Sequence, residues 1–287
     1  MSRIYLGGIE CARAAVGTVA KPVLSKEERD RARALRSPSA IRRFAAGRWL
    51  VRTMLSDLLG MPAASVPIAI TTNGRPFLGC AGPWHFSLSH SGDIAACAVA
   101  DIPVGLDLEQ VILDRDLLTI ARESFQPAEA DMVAASLATE GRKVAATRFY
   151  AYWTLKEAYL KLREGSVWDM RNAPAFLLGG PPAPAVQSPG WWCMEIPPQG
   201  AFSRPYVLSL GTDGLTDAGG RLTVPELHLR QLFADERRLR PLLVFATTRS
   251  QRSQKKRNSD AQGDRQPENT RQRAEGQGAK RRDIGEQ

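Results

Sequence analysis

The stretch FYAYWTLKEAYLKLREG, Phe149–Gly165, decides how this chain is read. At about 100° per residue, Tyr152, Leu155, Tyr159 and Leu162 fall on one narrow arc, which predicts an amphipathic helix. Trp153, Glu157 and Lys161, spaced four apart, fall on the opposite arc. A helix with one apolar face shows water a mixed polar surface. Here the second face carries a large aromatic, a carboxylate and an ammonium in line. An exposed i,i+4 Glu–Lys pair would stabilise by only about 0.2–0.5 kcal/mol. Trp153 opposes that bland reading, because tryptophan is usually well buried. Burial on both faces, with Glu157 and Lys161 between, points to a helix that lines a cleft.

Upstream, Val104 to Glu109 (VGLDLE) alternates apolar and acidic residues and predicts a strand. Asp107 and Glu109, two apart, point to the same side. Converging carboxylates repel unless a cation or proton lies between them. Hard oxygen ligands suit Mg²⁺, which binds through one or two carboxylates and substrate phosphates. Taken alone, an acidic pair on a strand is more often solvated surface. FSLSHSG, Phe86–Gly92, adds hydroxyls, the His90 imidazole and a glycine turn, a set suited to phosphate oxygens. Gly74-Arg75-Pro76 puts a guanidinium just after a turn, suited to a bidentate phosphate contact or to a solvated loop.

Around these motifs the chain alternates strand and helix signals. Ile4 to Leu6 is a short apolar opening. Ser25 with Glu28 forms a capping-box pattern, and Ser37-Pro38 marks a second helix start. Ile41, Phe44, Val51, Leu55 and Leu58 continue that second helix until Gly60 and Pro62. Ile94 to Ala100 reads as a strand joined to the acidic one through Asp101-Ile102-Pro103. One helical region is expected over roughly Leu117 to Ala138, and the strongest helix over Phe149 to Arg163. Gly179 to Gly190 reads as a loop. Strand-like runs follow near Tyr206–Leu210, Leu227–Leu232 and Leu242–Phe245. No sequence repeat recurs at a fixed period.

Composition narrows the function classes. The chain has 287 residues, 43% hydrophobic and 24% charged, enough for a buried core. Its 39 Lys and Arg against 30 Asp and Glu give +9. From Arg249 onward 11 basic residues face 6 acidic ones, which leaves 28 against 24 before it. The positive charge is therefore concentrated in a tail poor in apolar residues, expected to be disordered, and nucleic-acid binding by the body is disfavoured. No apolar stretch approaches the roughly 20 residues of a membrane span. The N-terminus lacks a charged-then-apolar leader, and Cys11, Cys80, Cys97 and Cys193 have no CxxC spacing. These features predict a cytoplasmic protein with reduced, buried cysteines.

Together the strings GRPFL (Gly74–Leu78), FSLSHSG, VGLDLE and FYAYWTLKEAYLKLREG resemble the 4′-phosphopantetheinyl transferase superfamily, in its surfactin-synthetase-activating branch. The resemblance spans roughly Ser25 to Gly165, with four motifs in family order. It implies an α+β fold of two similar α/β halves related by a pseudo-twofold axis, with the active site in the cleft between them. The expected boundaries are 1–103, 104–248 and a tail over 249–287. By motif, Asp107, Glu109 and Glu157 would bind Mg²⁺. Ser89 and His90 would contact coenzyme A phosphates, Arg31 and Arg75 the adenosine 3′-phosphate, and Lys161 the pyrophosphate. Where some relatives have two basic contacts on the first helix, this chain has Glu28 and Arg31. Phe44 stands where relatives can have a small polar residue.

The implied activity moves phosphopantetheine from coenzyme A to a serine of an apo acyl or peptidyl carrier protein. Glu157, Lys161 and His90 are its expected catalytic residues, and Lys161, His90 and Arg75 are expected to supply fixed positive charge. No Ser/His/Asp or Cys/His arrangement offers an enzyme nucleophile. The pseudo-dimeric resemblance favours a monomer. It places carrier contacts between the acidic strand and the long helix, where Arg115 accompanies Val111, Ile112, Leu113, Leu117, Leu118 and Phe125, some of which must be core. Two other classes remain open at this stage: a metal-dependent phosphodiesterase or nuclease using the same carboxylates, and a binding module acting through the basic tail.

Overall fold

The computed structural model describes residues 2–11, 23–72, 74–178, 190–198 and 204–213, with the backbone of five further strand pieces between 215 and 246. The tail from Arg249 and residues 179–189 of the expected loop lie outside them. β1 (Arg3–Glu10) is followed by α1 (Lys26–Ala34) and α2 (Pro38–Leu59), then by the short hairpin β2 (Ile68–Ile70) and β3 (Pro76–Leu78). β4 (His85–Ser91), β5 (Ile94–Ala100) and β6 (Val104–Gln110) lead into α3 (Leu117–Ser124), α4 (Pro127–Thr139) and α5 (Arg142–Leu162). β7 (Phe176–Leu178), β8 (Trp191–Ile196) and β9 (Tyr206–Thr212) follow. β10 (Leu215–Thr216), β11 (Leu222–Thr223), β12 (Glu226–Gln231), β13 (Arg240–Leu242) and β14 (Val244–Ala246) are the remaining strands. No described helix is long and apolar enough to cross a membrane.

The helix boundaries follow local chemistry. Ser25 and Glu28 close the expected capping box on α1: Glu28 N–H donates to Ser25 Oγ (3.2 Å) and Ser25 N–H to Glu28 Oε2 (3.0 Å). Pro38 opens α2, and Gly60 ends it in the left-handed region at φ 64°. The helical region expected over roughly Leu117–Ala138 is made of two helices. Phe125 is extended and Pro127 opens the second, because proline cannot donate to the preceding turn. α5 begins at Arg142, seven residues before the expected Phe149, and buried Ala145 and Ala146 carry its apolar face one turn further toward the N-terminus. The expected strand Leu242–Phe245 is split between β13 and β14.

Two four-stranded sheets have the orders β12-β1-β5-β4 and β13-β8-β9-β6. Within them, β1-β5-β4 and β6-β9-β8 are antiparallel neighbours in the same arrangement. Each unit is a strand, a long helix and a hairpin. The α+β fold is thus a β-α-β-β path traced twice, a repeat of topology that leaves no fixed-period sequence signal. Helix α2 packs Leu50, Val51, Met54 and Leu55 on Tyr5, Phe86, Cys97 and Val99 of the first sheet. Helix α5, with α3 and α4, buries Phe149, Tyr152, Leu155 and Phe125 over Cys193 and Val207 of the second. Between the sheets, Ile4, Leu6, Ala96 and Ala98 meet Leu106, Leu108, Leu208 and Leu210. Three cysteines are buried as expected; Cys80 is exposed instead, on a loop.

Strand β4 also runs beside β6 and joins the halves without a backbone ladder. The hydroxyls of Ser87, Ser89 and Ser91 accept from the N–H groups of Leu106 (2.9 Å), Leu108 (3.2 Å) and Gln110 (3.0 Å). Serines two apart share a face, so one side of β4 supplies three acceptors in register with the donors of β6. On its other side, α5 sits directly on β6. A Cβ added at Gly105 would lie 1.9 Å from the carbonyl oxygen of Ala158. Only glycine permits that approach, which brings the Glu157–Lys161 turn over Asp107.

Candidate active site

A cleft of about 1190 Å³ opens where α1, α2 and the β2–β3 hairpin face β4, β6 and α5. Seven of the eight expected site residues line it: Arg31, Ser89, His90, Asp107, Glu109, Glu157 and Lys161. Arg75 is not among the lining residues, although its neighbours Gly74 and Pro76 are. Its turn is held by Arg75 N–H to Thr71 Oγ1 (3.1 Å) and Thr71 N–H to the Arg75 carbonyl (2.8 Å), with Gly74 at φ 80°. One buried guanidinium nitrogen of Arg75 has no partner.

The cleft is divided by charge. At one end Asp107, Glu109 and Glu157 come from β6 and α5. Asp107 is buried, and its Oδ1 accepts from Lys161 Nζ (2.7 Å) and from the Ser89 hydroxyl (2.8 Å). Its Oδ2 is buried with no partner. Glu109 Oε2 accepts from the Ser91 hydroxyl (2.7 Å). Burial, followed by the charge of Asp107, pushes Glu157 up to about 7. Burial likewise raises Glu109 above the ordinary carboxylate range, with Asp107 adding in the same direction. Among the described residues no three His, Cys, Asp or Glu side chains stand close enough to cage a metal ion as they are. The donor set nevertheless fits a hard divalent cation that keeps water and shares substrate phosphates. It offers an unpaired buried carboxylate oxygen and mutually repelling acids.

At the other end, α1 and α2 contribute Arg31, Arg43 and Arg48, with the Phe44 ring stacked 5.4 Å under the Arg48 guanidinium. Glu28 does not oppose a phosphate there. It is buried and paired with Arg52 Nε (2.6 Å) and Arg48 Nε (3.7 Å). Trp153 forms an aromatic wall, stacked on Phe149 at 5.9 Å. His90 reaches solvent on one side, yet partial desolvation holds its imidazole below the ordinary range, with Arg43 and Lys161 pushing the same way. These effects favour the neutral imidazole over the positive charge expected from sequence, and a neutral imidazole still offers one N–H. The Ser89 hydroxyl proton is already given to Asp107, so its expected phosphate contact competes with that bond.

Sequence reasoning missed Arg43 and Arg48, the role of Ser91, and the ion pair Lys156–Glu129. Arg48 and Arg52 lie four apart on α2 and Arg43 one turn and a residue before them, a signal hidden beside the apolar stripe. Lys156 and Glu129 are 0% and 1% exposed in the side chain and 2.9 Å apart. Lys156 sits next to Glu157 in a motif whose reading stopped at the cleft-facing residues.

Residues 103–178 match the sequence model of the 4′-phosphopantetheinyl transferase superfamily, and residues 16–101 match that of the 4′-phosphopantetheinyl transferase N-terminal region. The chain is 32% identical over 179 residues to the 4′-phosphopantetheinyl transferase HetI of Nostoc sp., covering 61% of this chain and 74% of that protein. It is 36% identical over 146 residues to AcpT of Salmonella typhi, covering 49% and 69%. With Sfp of Bacillus subtilis it shares 27% over 139 residues, 48% of this chain and 59% of Sfp. The two matched regions meet near residue 102, between β5 and β6, and the chain belongs to the 4′-phosphopantetheinyl transferase superfamily.

Proposed function

We propose that this enzyme transfers 4′-phosphopantetheine from coenzyme A to a serine of an acyl or peptidyl carrier protein, with Mg²⁺, releasing adenosine 3′,5′-bisphosphate. The observation that carries the reading is one cleft with a cationic end and an acidic end that retains an unpaired carboxylate oxygen. A nucleotide bearing a 3′-phosphate and a pyrophosphate suits the first. A divalent cation on that pyrophosphate suits the second. The volume is ample for a ligand of coenzyme size.

Arg31 lines the cleft and holds the 3′-phosphate, and Arg75, beside the lining residues Gly74 and Pro76, joins it only by turning its guanidinium inward. His90 donates an N–H to phosphate oxygen. Asp107, Glu109 and Glu157 would hold Mg²⁺, which when bound neutralises charge on the pyrophosphate. The carrier serine oxygen attacks the phosphorus that bears pantetheine, and the bond from that phosphorus to the bridging oxygen breaks. Glu157 takes the serine proton, directly or through a water. Lys161 sits on Asp107 and lies one turn from Glu157, so its ammonium can turn to the leaving oxygen. Arg115 and Leu113, both exposed beside the cleft helices, offer a basic and apolar surface to an acidic carrier. Four free cysteines fit a reducing compartment.

The test mixes the protein, coenzyme A, Mg²⁺ and a panel of apo-carriers, read by intact mass. A carrier should gain one phosphopantetheine, and coenzyme A should persist when no carrier is added. Hydrolysis of coenzyme A without a carrier, or no gain on any carrier, would overturn the reading.

A further inference from the structure

Two hydroxyls on the β4 seam are held from both sides. Ser91 Oγ accepts from the Gln110 N–H at 3.0 Å and donates to Glu109 Oε2 at 2.7 Å. Ser89 Oγ accepts from the Leu108 N–H at 3.2 Å and donates to Asp107 Oδ1 at 2.8 Å. The backbone donor occupies a lone pair, so the hydroxyl proton is aimed at the carboxylate. The pattern repeats at a spacing of two on both strands. Ser87, next in line, accepts from the Leu106 N–H, and the place of the acids is taken there by Gly105, which has no side chain to accept.

We propose that Ser89 and Ser91 are positioning residues: the seam that joins the two halves also presets the acidic pair. Each serine ties down one carboxylate oxygen and leaves the other for a cation, and the buried, unpaired Oδ2 of Asp107 is the visible result. A metal-binding carboxylate is commonly oriented by such a hydrogen bond, and removing the partner typically weakens metal affinity by about 10–100-fold. The inference rests on Asp107 and Glu109 being metal ligands. Its particular consequence is that docking of one half on the other and cation affinity depend on the same hydroxyls. Ser91, half-buried at the strand end, is the better probe, because its backbone partner can find water when the hydroxyl is removed.

The experiment titrates Mg²⁺ calorimetrically into the full-length, coenzyme A-saturated protein as wild type, Ser91→Ala, Ser91→Thr and Glu109→Gln. Coenzyme A affinity is measured separately in chelator. Ser91→Ala should raise the Mg²⁺ dissociation constant at least about 10-fold, with coenzyme A affinity in chelator changed less than about 2-fold. Ser91→Thr keeps the hydroxyl and should restore Mg²⁺ affinity to within about 3-fold of wild type. Ser91→Cys, a weak donor and acceptor, serves the same comparison if the alanine variant does not fold. Wild-type Mg²⁺ affinity in Ser91→Ala, or equal loss in the alanine and threonine variants, overturns the proposal. If Glu109→Gln also binds Mg²⁺ like wild type, the ligand assignment itself has failed. If Glu109→Gln is weakened and Ser91→Ala is not, only the positioning role has failed.

Discussion

The two long helices invite comparison position by position. Pro38 and Arg142 begin α2 and α5, and Trp49 with Trp153, and Arg52 with Lys156, hold equivalent places, each pair 104 residues apart. Arg52 pairs with Glu28, and Lys156 with Glu129. Each glutamate is the third residue of its own helix and caps that helix: Ser25 N–H donates to Glu28 at 3.0 Å and Gln126 N–H to Glu129 at 2.9 Å. Each cation also reaches carbonyls of the loop beyond its helix. Arg52 bonds those of Ala63, Ala64 and Val66; Lys156 lies near those of Met170, Ala173 and Pro174. The same bolt fastens both halves. One position further on they diverge: Thr53 follows Arg52, whereas Glu157 follows Lys156. Four positions later Asp57 stands opposite Lys161. The repeated architecture is a scaffold, and chemistry was placed on one copy beside the bolt that holds it rigid.

The largest expected effect tests the bolts. Lys156→Met leaves Glu129 buried without its cation and should lose about 3–5 kcal/mol of stability. Arg52→Met should lose less, because Arg48 still faces Glu28 at 3.7 Å. Urea unfolding of both variants checks the order, and equal losses would break the contrast between a sealed and a shared pair.

Next is the divergent position. Glu157→Gln should lower turnover by about 10²–10³-fold. Coenzyme A affinity should move by less than about 3-fold, because the charge acts mainly on the reacting proton. Thr53→Ala, at the matching place in α2, should leave turnover near wild type. Single-turnover transfer with calorimetric coenzyme A binding separates these outcomes. A near-normal rate in Glu157→Gln would make that face of α5 structural only.

Glycine contacts give a smaller contrast. A methyl at Gly105 meets backbone, the Ala158 carbonyl oxygen at 1.9 Å, whereas at Gly7 it meets the Met54 sulfur at 2.8 Å. A thioether can turn aside and a helix backbone cannot. Gly105→Ala should therefore destabilise by about 1–3 kcal/mol or more through overpacking, and Gly7→Ala by less. Equal effects in denaturant melts would show that α5 can shift on β6 as easily as Met54 moves.

The smallest effect is on pH dependence without metal. The Glu157 carboxyl has the ordinary pKa of 4.5 in the unfolded chain and is pushed up to about 7 in the fold, through burial and the neighbouring Asp107. The fold thus holds this proton more tightly. That contribution is complete below the unfolded pKa and is lost as pH rises through about 7. In chelator, Glu157→Gln should gain about 2–4 °C in Tm over wild type near pH 8, the shift of roughly 1 kcal/mol in a domain of this size, and nothing near pH 4. Parallel melting curves across that range would mean that Glu157 is solvated in the metal-free fold.

Much of the site was legible because its residue types are odd for their places. Acids two apart on a strand, a tryptophan above a Glu–Lys pair, and a histidine among serines each contradict a plain surface. Helix ends with side-chain caps, such as Ser25 with Glu28, were legible for the same local reason. The two-helix break at Pro127 was written in the chain, but helix-forming residues on both sides of it let the segment read as one helical region. The start of α5 at Arg142 has no side-chain cap, and its apolar face there is only the small Ala145 and Ala146, so no strong local signal marked it.

Sequence by itself determined the local pieces: strand alternation, the amphipathic arc of α5, the caps, and the presence of carboxylates, imidazole and guanidinium groups in motifs that resemble one family. These depend on neighbours within a few residues. Tertiary structure alone decided which of them meet. That Lys161 sits on Asp107, that Ser89 and Ser91 orient acids 18 residues away, that Glu28 is silenced by Arg52, and that Arg43 and Arg48 join the cleft all depend on strand and helix packing across the chain. The physical reason is that a side chain's charge and hydrogen bonds are set by what lies within a few ångströms of it, and the folded chain brings distant residues to that range.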